Sequence, residues 1–275
     1  MEEFAQMNLF RKAFAASLCL FVILILGVHF ALAGNWDNTK HAVVLKDKLY
    51  TIEVSGTLYV TDLSTGKWAQ LGKPDFAKTN FLFATTSNLV TIESDGNLYL
   101  IDPNTGSWKG IGKAGNWKRT MVGATIGERL YTVESEGALF ETNTSTGAWR
   151  QIGKPDFVRT KFFFAGTDAL YSIEHDGNFF SINPSSGAWQ RIGNANDWSE
   201  TLRGTVHGGK LYTKETNGGI FETDPLTGRW KKIGNSDFVK SNFLFAAGGS
   251  LYTIDFSGDL FRLNSADQRW VQIGK

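Results

Sequence analysis

Six short segments of the chain place an aromatic ring between a carboxylate or amide and a hydroxyl group. In five of them Asp or Asn directly precedes the ring and Thr follows it three positions later, and the sixth has Ser in place of Thr. A flat apolar ring can pack on the C–H face of a sugar, while neighbouring polar groups hold its hydroxyls. The candidate sugar-binding residues are Asn35, Trp36, Thr39, Asp75, Phe76, Asn116, Trp117, Thr120, Asp156, Phe157, Asp197, Trp198, Thr201, Asp237 and Phe238.

A second interpretation of these segments is structural and stays open. Asp or Asn at a corner forms an Asx-turn with its own backbone, and the aromatic ring then fills a gap beneath the corner. The ring alternates between Trp and Phe along the chain. If the rings stack on sugars, the larger indoles of Trp36, Trp117 and Trp198 predict three tighter sites.

Two further sets of residues recur in step with these segments. A recurring acid could form a ring of carboxylates for a hard cation such as calcium, but the favoured interpretation is a carboxylate at a strand end that bonds turn N–H groups or faces solvent. A recurring tryptophan could bind a ligand, although packing between structural units is favoured. The acids are Glu53, Glu93, Glu134, Glu174, Glu215 and Asp255, and the tryptophans are Trp68, Trp108, Trp149, Trp189, Trp230 and Trp270.

The sequence contains no recognisable catalytic, metal or cofactor motif. Beyond the N-terminal segment it has only His41, His175 and His207, and none has metal-ligand spacing. The G-x-G-x-x-G match at Gly110–Gly115 is not followed by the helix that a dinucleotide site needs. We therefore predict a protein without catalysis, bound metal or cofactor.

All of these residues belong to one sequence repeat that occurs six times at intervals of 40 or 41 residues. Each copy contains four short runs of β-branched and aromatic residues separated by Gly-containing turns, which are hairpin signals. Four strands in about 40 residues are typical of a propeller blade. The copies are 36–72, 76–112, 117–153, 157–193, 198–234 and 238–274.

The sequence therefore predicts an all-β, six-bladed β-propeller over residues 34–275. Because Trp and Phe alternate, pairs of blades form an 81-residue unit present three times, which predicts pseudo-threefold symmetry. If the apolar run Phe81–Phe83 is the innermost strand, every blade is built from one copy. If the Leu-Tyr strand is innermost, residues 41–48 complete the last blade. The first arrangement is favoured, since the most apolar strand suits the crowded centre.

Residues 1–33 have the pattern of a secretory signal peptide. Arg11 and Lys12 precede a long apolar run that ends in Ala31-Leu32-Ala33, a small-residue cleavage pattern. An uncleaved membrane anchor is the alternative, because about 20 apolar residues can span a bilayer. The segment predicts secretion, to the extracellular space or the periplasm, with membrane contact only if it stays attached.

The charge balance and the cysteine content limit what the protein binds and how it is stabilised. The chain of 275 residues carries 28 Lys and Arg against 27 Asp and Glu, and this balance argues against nucleic-acid binding. The only cysteine is Cys19, so the propeller must be stable without disulfides.

The repeat resembles that of tachylectin-type propeller lectins and is similar to tectonin repeats. The resemblance rests on Ile111-Gly112, Gly115-Asn116-Trp117 and Leu130-Tyr131, together with Asp75-Phe76 and Phe81-Leu82-Phe83. It implies a secreted, multivalent lectin for N-acetylated or methylated sugars.

We accordingly expect a non-catalytic propeller that binds glycans or glycoconjugates on cell surfaces. The alternative is a scaffold for protein–protein interaction, and a propeller hydrolase is a third, weaker hypothesis.

Overall fold

The computed structural model describes residues 35–234, 236, 241–264 and 266–274. Within them the chain forms six four-stranded antiparallel sheets and no helix, which confirms the predicted six-bladed propeller. No segment of the described residues is a helix long and apolar enough to cross a membrane. The predicted signal segment, residues 1–33, and the candidate residues Asp237 and Phe238 lie outside the described residues.

The first three blades use the first twelve strands in chain order. Blade 1 consists of β1 (Thr39–Leu45), β2 (Lys48–Glu53), β3 (Leu58–Asp62) and β4 (Trp68–Leu71). Blade 2 consists of β5 (Thr79–Ala84), β6 (Leu89–Glu93), β7 (Leu98–Ile101) and β8 (Trp108–Ile111). Blade 3 consists of β9 (Thr120–Ile126), β10 (Arg129–Glu134), β11 (Leu139–Asn143) and β12 (Trp149–Ile152).

The other three blades continue the same order. Blade 4 consists of β13 (Thr160–Ala165), β14 (Leu170–Glu174), β15 (Phe179–Ile182) and β16 (Trp189–Ile192). Blade 5 consists of β17 (Thr201–His207), β18 (Lys210–Glu215), β19 (Ile220–Thr223) and β20 (Trp230–Ile233). Blade 6 consists of β21 (Phe245–Ala247), β22 (Ser250–Ile254), β23 (Leu260–Leu263) and β24 (Trp270–Gly274).

The first strand of each blade is the innermost one. The strands of every sheet follow chain order, and the first strands of neighbouring blades contact each other around a central channel, β21 next to β1 included. No blade is shared between the two ends of the chain. The favoured phase of the repeat is therefore confirmed.

Each blade is covered on both faces by its neighbours. All five residues of β6, Leu89–Glu93, are buried. Val90 and Ile92 of blade 2 pack in one cluster with Trp117 and Leu130 of blade 3. Burial on both faces explains why these strands lack the alternation of apolar and polar residues that is typical of a sheet with one wet face.

A repeated backbone contact joins the blades. The turn between the second and third strands of each blade carries a glycine, and the carbonyl of Gly56 accepts the N–H of Phe76 from the next blade at 3.0 Å. The corresponding acceptors for Trp117, Phe157 and Trp198 are Gly96, Gly137 and Gly177.

The same contact closes the ring between blades 6 and 1. Gly258 of blade 6 accepts the N–H of Trp36 of blade 1 at 3.1 Å. The indole of Trp36 also lies so close to Gly274 that a Cβ there would meet it at 2.6 Å. Closure therefore depends on non-covalent packing of whole blades.

Candidate functional site

The aromatic rings of the predicted sugar-binding segments are buried between blades. Trp36, Trp117 and Trp198 are 1–3% exposed, and Phe76 and Phe157 are 2% and 5% exposed. Inside the protein, the indole N–H groups of Trp117 and Trp198 lie 3.3 and 3.4 Å from the hydroxyls of Thr142 and Thr223, respectively. The structure thus corrects the stacking role predicted for these five rings, because neighbouring blades cover the faces that a sugar would need.

The hydroxyl groups of the same segments also serve the fold. Thr39, Thr120 and Thr201 each donate from Oγ1 to a glutamate 14 residues later at 3.1 Å. Their backbone N–H groups close a turn onto the carbonyl of the preceding aromatic residue, at 3.1–3.2 Å. The aromatic-x-x-Thr spacing is therefore that of a turn, and the predicted sugar-binding role of these hydroxyls has no support in the geometry.

Four of the recurring glutamates lie at strand ends, as expected, but they accept from threonine hydroxyls inside the protein rather than from turn N–H groups or solvent. Glu53, Glu93, Glu134 and Glu215 are 7–8% exposed. Burial is the largest cause that raises the pKa of each of these carboxyls, and the threonine hydroxyl lowers it in part. Among the described residues no group of three or more His, Cys, Asp or Glu is placed to hold a metal ion.

The carboxylates that precede the buried rings point the other way, toward the outermost strand of their own blade. Asp75 accepts the indole N–H of Trp108 at 3.0 Å. The same bond joins Asp156 to Trp189 at 3.1 Å and Asp197 to Trp230 at 3.4 Å. In each pair the acid lies 33 residues before the tryptophan, so one repeat supplies both partners.

Four of the outer-strand tryptophans, Trp108, Trp149, Trp189 and Trp230, are about half exposed, so the favoured interpretation that they pack between blades is wrong for these four. Trp108, Trp189 and Trp230 are 47–50% exposed. Each indole stands nearly perpendicular to a second ring of its blade: Tyr99 at 86°, Phe180 at 90° and Phe221 at 82°. Two rings at this angle make an apolar corner, and the aspartate bond holds the indole in place.

A pocket opens at this corner in blades 2, 4 and 5, with volumes of about 280, 30 and 190 Å³. The blade 2 pocket is lined by Asp75, Phe76, Ala77, Lys78, Glu93, Asp95, Tyr99 and Trp108. The blade 4 pocket is lined by Asp156, Phe157, Ser172, Glu174, Phe180 and Trp189. The blade 5 pocket is lined by Asp197, Trp198, Glu200, Thr213, Glu215, Asn217, Phe221 and Trp230.

The three aspartates of the predicted segments thus lie beside an outer-strand tryptophan rather than beside an exposed loop ring. The side chain of Asn35 has another role, since its Oδ1 accepts the backbone N–H of Asp37 at 3.0 Å. The backbone N–H of Asn116 donates to the carbonyl of Lys113. The three pockets occur in blades that have an aspartate before the loop ring. They do not require a loop tryptophan, since blades 2 and 4 have Phe in the loop. A constant spacing of 33 residues between Asp and Trp is the sequence signal for the pairs.

Comparison with known proteins identifies the fold but no family. No family model matches the chain, and no curated protein matches it significantly. Among solved structures, YCF48 bound to D1 peptide has a TM-score of 0.59 at 15% identity over 87% of this chain and 83% of its own. PorZ, a bacterial surface component of the type-IX secretion system of Porphyromonas gingivalis, has a TM-score of 0.57 at 14% identity. This match covers 89% of the present chain, which spans about a third of the PorZ chain, 34%.

A third solved structure, BamB from Moraxella catarrhalis, has a TM-score of 0.49 at 16% identity, over 80% of this chain and 70% of its own. At these identities the likeness to YCF48 and PorZ shows the propeller fold alone.

Proposed function

We propose that this protein is a non-catalytic, multivalent carbohydrate-binding propeller whose sites are the pockets of blades 2, 4 and 5. The single observation that carries the proposal is the repeated pair of a half-exposed indole and the aspartate that holds its N–H, as in Trp108 and Asp75. An exposed indole face suits the apolar C–H face of a sugar ring, and fixed carboxylate oxygens accept bonds from sugar hydroxyls.

The polar groups of these pockets can orient a bound sugar, and the apolar groups can contact it. In blade 2, Asp75 and Asp95 lie beside the indole of Trp108, and Tyr99 forms the second apolar wall. A concave apolar surface with a few fixed polar groups is the usual form of a small-molecule site. The blade 4 pocket is the smallest, so blades 2 and 5 are the stronger candidates.

Multivalency compensates for the shallowness of single sites. Copies of one pocket around a ring can engage several sugars of a glycan-coated surface together, and avidity then exceeds single-site affinity by about 10²–10⁴. The resemblance to tachylectin-type and tectonin repeats supports this function. The signal-like pattern of residues 1–33 supports secretion to a compartment where surface glycans are accessible.

The test is a glycan array probed with the secreted protein, followed by hapten inhibition and by the variants Trp108→Ala and Trp230→Ala. We expect each variant to lose affinity for the glycan that the wild-type protein binds, with little change in thermal stability. Trp149→Ala is the matched control, because Trp149 is 45% exposed and packs edge-to-face on Phe140, yet no aspartate among the described residues bonds its indole. If the wild-type protein binds no glycan, the proposal is wrong.

A second candidate function is binding of a peptide at the central channel. Side chains of all six innermost strands line a cavity of about 350 Å³ there, among them Val43, Phe83 and Phe163. YCF48, a propeller of similar fold, was solved with a D1 peptide. A panel of apolar peptides, tested against the wild-type protein and Val43→Lys, distinguishes this function from glycan binding.

A further inference from the structure

The blade 5 pocket differs from its counterparts in its charge. Asp197, Glu200 and Glu215 line it, and neither lysine nor arginine is among its described lining residues. The blade 2 pocket also has three carboxylates, but Lys78 lies in its wall. Lys78 and Glu200 occupy the same place in their repeats, two residues after the buried ring of the loop. Blade 5 has thus gained a carboxylate where blade 2 has an ammonium group.

Blade 4 shows what a cation does at this position. The equivalent residue is Arg159, whose Nη2 bonds Asp176 at 2.5 Å and whose Nε lies 3.7 Å from Glu174 Oε2. Glu174 lines the blade 4 pocket and corresponds to Glu215 in blade 5. The chain itself therefore supplies a cation to the carboxylates of blade 4, whereas Glu200 supplies none to those of blade 5.

A carboxylate in the blade 5 pocket also has an oxygen that the described residues leave free for a ligand. Glu215 is 8% exposed, and its Oε1 accepts from Thr201 at 3.1 Å and from Thr213 at 3.3 Å. Oε2 accepts no hydrogen bond from the described residues. Burial raises the pKa of Glu215, and the charge of Lys161 in blade 4 lowers it only in part. The Nζ of Lys161 donates to the carbonyl of Thr201 at 3.0 Å. Because Oε2 is not one of the buried side-chain oxygens that lack a partner, solvent reaches it, and so can a ligand that carries a donor.

The aromatic walls of the pocket suit the same kind of ligand. Phe221 and Trp230 meet at 82° with their ring centroids 5.3 Å apart. An ammonium group over the face of an indole is attracted by the ring quadrupole, and Trp is the best of the aromatic residues for this contact. The three carboxylates do not form a metal-binding group. Carboxylates around a pocket with aromatic walls favour an organic ammonium over a bare metal ion.

We propose that the blade 5 pocket selects a saccharide with a free, protonated amine, that is, a hexosamine that is not N-acetylated. This inference rests on the proposed function, since it names the class of sugar for one of its sites. The amine donates to Glu215 and Glu200 while the C–H face of the sugar packs on the indole of Trp230. N-acetylation removes the positive charge and leaves the Glu215 oxygen without a strong donor, so it weakens binding.

The experiment follows the indole N–H resonance of Trp230 in ¹⁵N-labelled protein during titration with glucosamine, galactosamine and their N-acetylated forms. We expect at least tenfold tighter binding of a free hexosamine than of its N-acetylated form. Glu200→Arg places in blade 5 the type of residue that blade 4 has at the same position, and the exposed site tolerates it. This variant should lose at least tenfold in affinity for the amine. Asp168→Arg, an exposed residue of blade 4, is the control for the change in net charge.

The outcomes separate this inference from the proposed function. If free and N-acetylated hexosamines bind equally well, or if Glu200→Arg binds the amine as the wild-type protein does, selection of an amine is wrong and saccharide binding stands. If N-acetylated or neutral sugars bind at blade 2 while the Trp230 resonance responds to no hexosamine, the inference again fails alone. If no saccharide binds at any blade, both proposals fail.

Discussion

The indole N–H of Trp108 donates to the carboxylate of Asp75, with 3.0 Å between nitrogen and oxygen. Asp75 is exposed, whereas the next residue, Phe76, is 2% exposed between blades 1 and 2. Two neighbouring residues of one loop thus have separate tasks: the ring fixes the loop to the preceding blade, and the acid holds the aromatic wall of a surface pocket. Blades 4 and 5 repeat this arrangement.

Replacing Asp75 should release the indole of Trp108 without unfolding the blade. We expect Asp75→Ala to change stability by less than about 1 kcal/mol, because the acid is exposed, and to weaken glycan binding at blade 2. Urea unfolding and titration with the glycan identified on the array measure the two effects. Unchanged glycan affinity in a folded Asp75→Ala protein would show that the fixed indole is not required.

The buried loop tryptophans should behave as core residues. Trp117→Ala removes an indole that is 3% exposed and is expected to cost about 3–5 kcal/mol of unfolding free energy. The exposed Trp149 provides the comparison, and its replacement by Ala should cost less than about 1 kcal/mol. Equal costs for the two variants, measured by urea unfolding, would contradict the burial assigned to Trp117.

Gly96 and Gly127 are a matched pair of positions for testing how much the glycine contact between blades contributes to stability. Gly96 and Gly127 both have positive φ, 82° and 59°, so Ala is strained at either. A Cβ at Gly96 would lie 2.3 Å from the backbone nitrogen of Lys118, whereas nothing lies within 4 Å at Gly127. Gly127→Ala should cost about 1–2 kcal/mol.

Gly96→Ala should cost more than about 4 kcal/mol, since blades 2 and 3 must separate to admit it. Thermal unfolding of both variants gives the comparison. Similar melting temperatures for the two would mean that the contact between the Gly96 turn and the next blade adds little to stability.

The repeat predicted the number and order of the blades because both depend on spacing alone, whereas the phase was predicted from the apolar run Phe81–Phe83. Spacing does not explain why Trp108 and three of its equivalents are about half exposed while Trp36 and its described equivalents are buried. The loop ring faces the glycine of a neighbouring blade, Gly274 in the case of Trp36, and this contact exists only once the blades are side by side. Both sets contain tryptophans at regular intervals, so residue type alone could not distinguish the exposed rings from the buried ones.

Blade 5 has a second unusual residue, in its core. Lys214 is 1% exposed where the other blades have Ile or Val, and its Nζ donates to the carbonyl of Ser241 at 2.6 Å. Burial, with a smaller contribution from the charge of Arg203, lowers the pKa of Lys214 to about 8. Below this pH the folded protein carries a buried charge, which costs stability.

Stability should therefore rise between pH 8 and about 10.4, the pKa of lysine in an unfolded chain, because only the unfolded state binds the proton in this range. Lys214→Ile, which copies four of the other blades, should lack this rise. Thermal unfolding of both proteins from pH 7 to pH 10.5 measures it. A difference in melting temperature that stays constant over the range would contradict a buried, charged Lys214.

The most direct test of the account is the glycan binding of the triple variant Trp108→Ala, Trp189→Ala, Trp230→Ala beside that of Trp149→Ala, both by isothermal titration with the glycan found on the array. We expect the triple variant to stay folded and to lose binding, because it lacks the indole wall of all three pockets, while Trp149→Ala should bind as the wild-type protein does. Full binding by the folded triple variant would contradict the account and place the sugar sites elsewhere on the propeller.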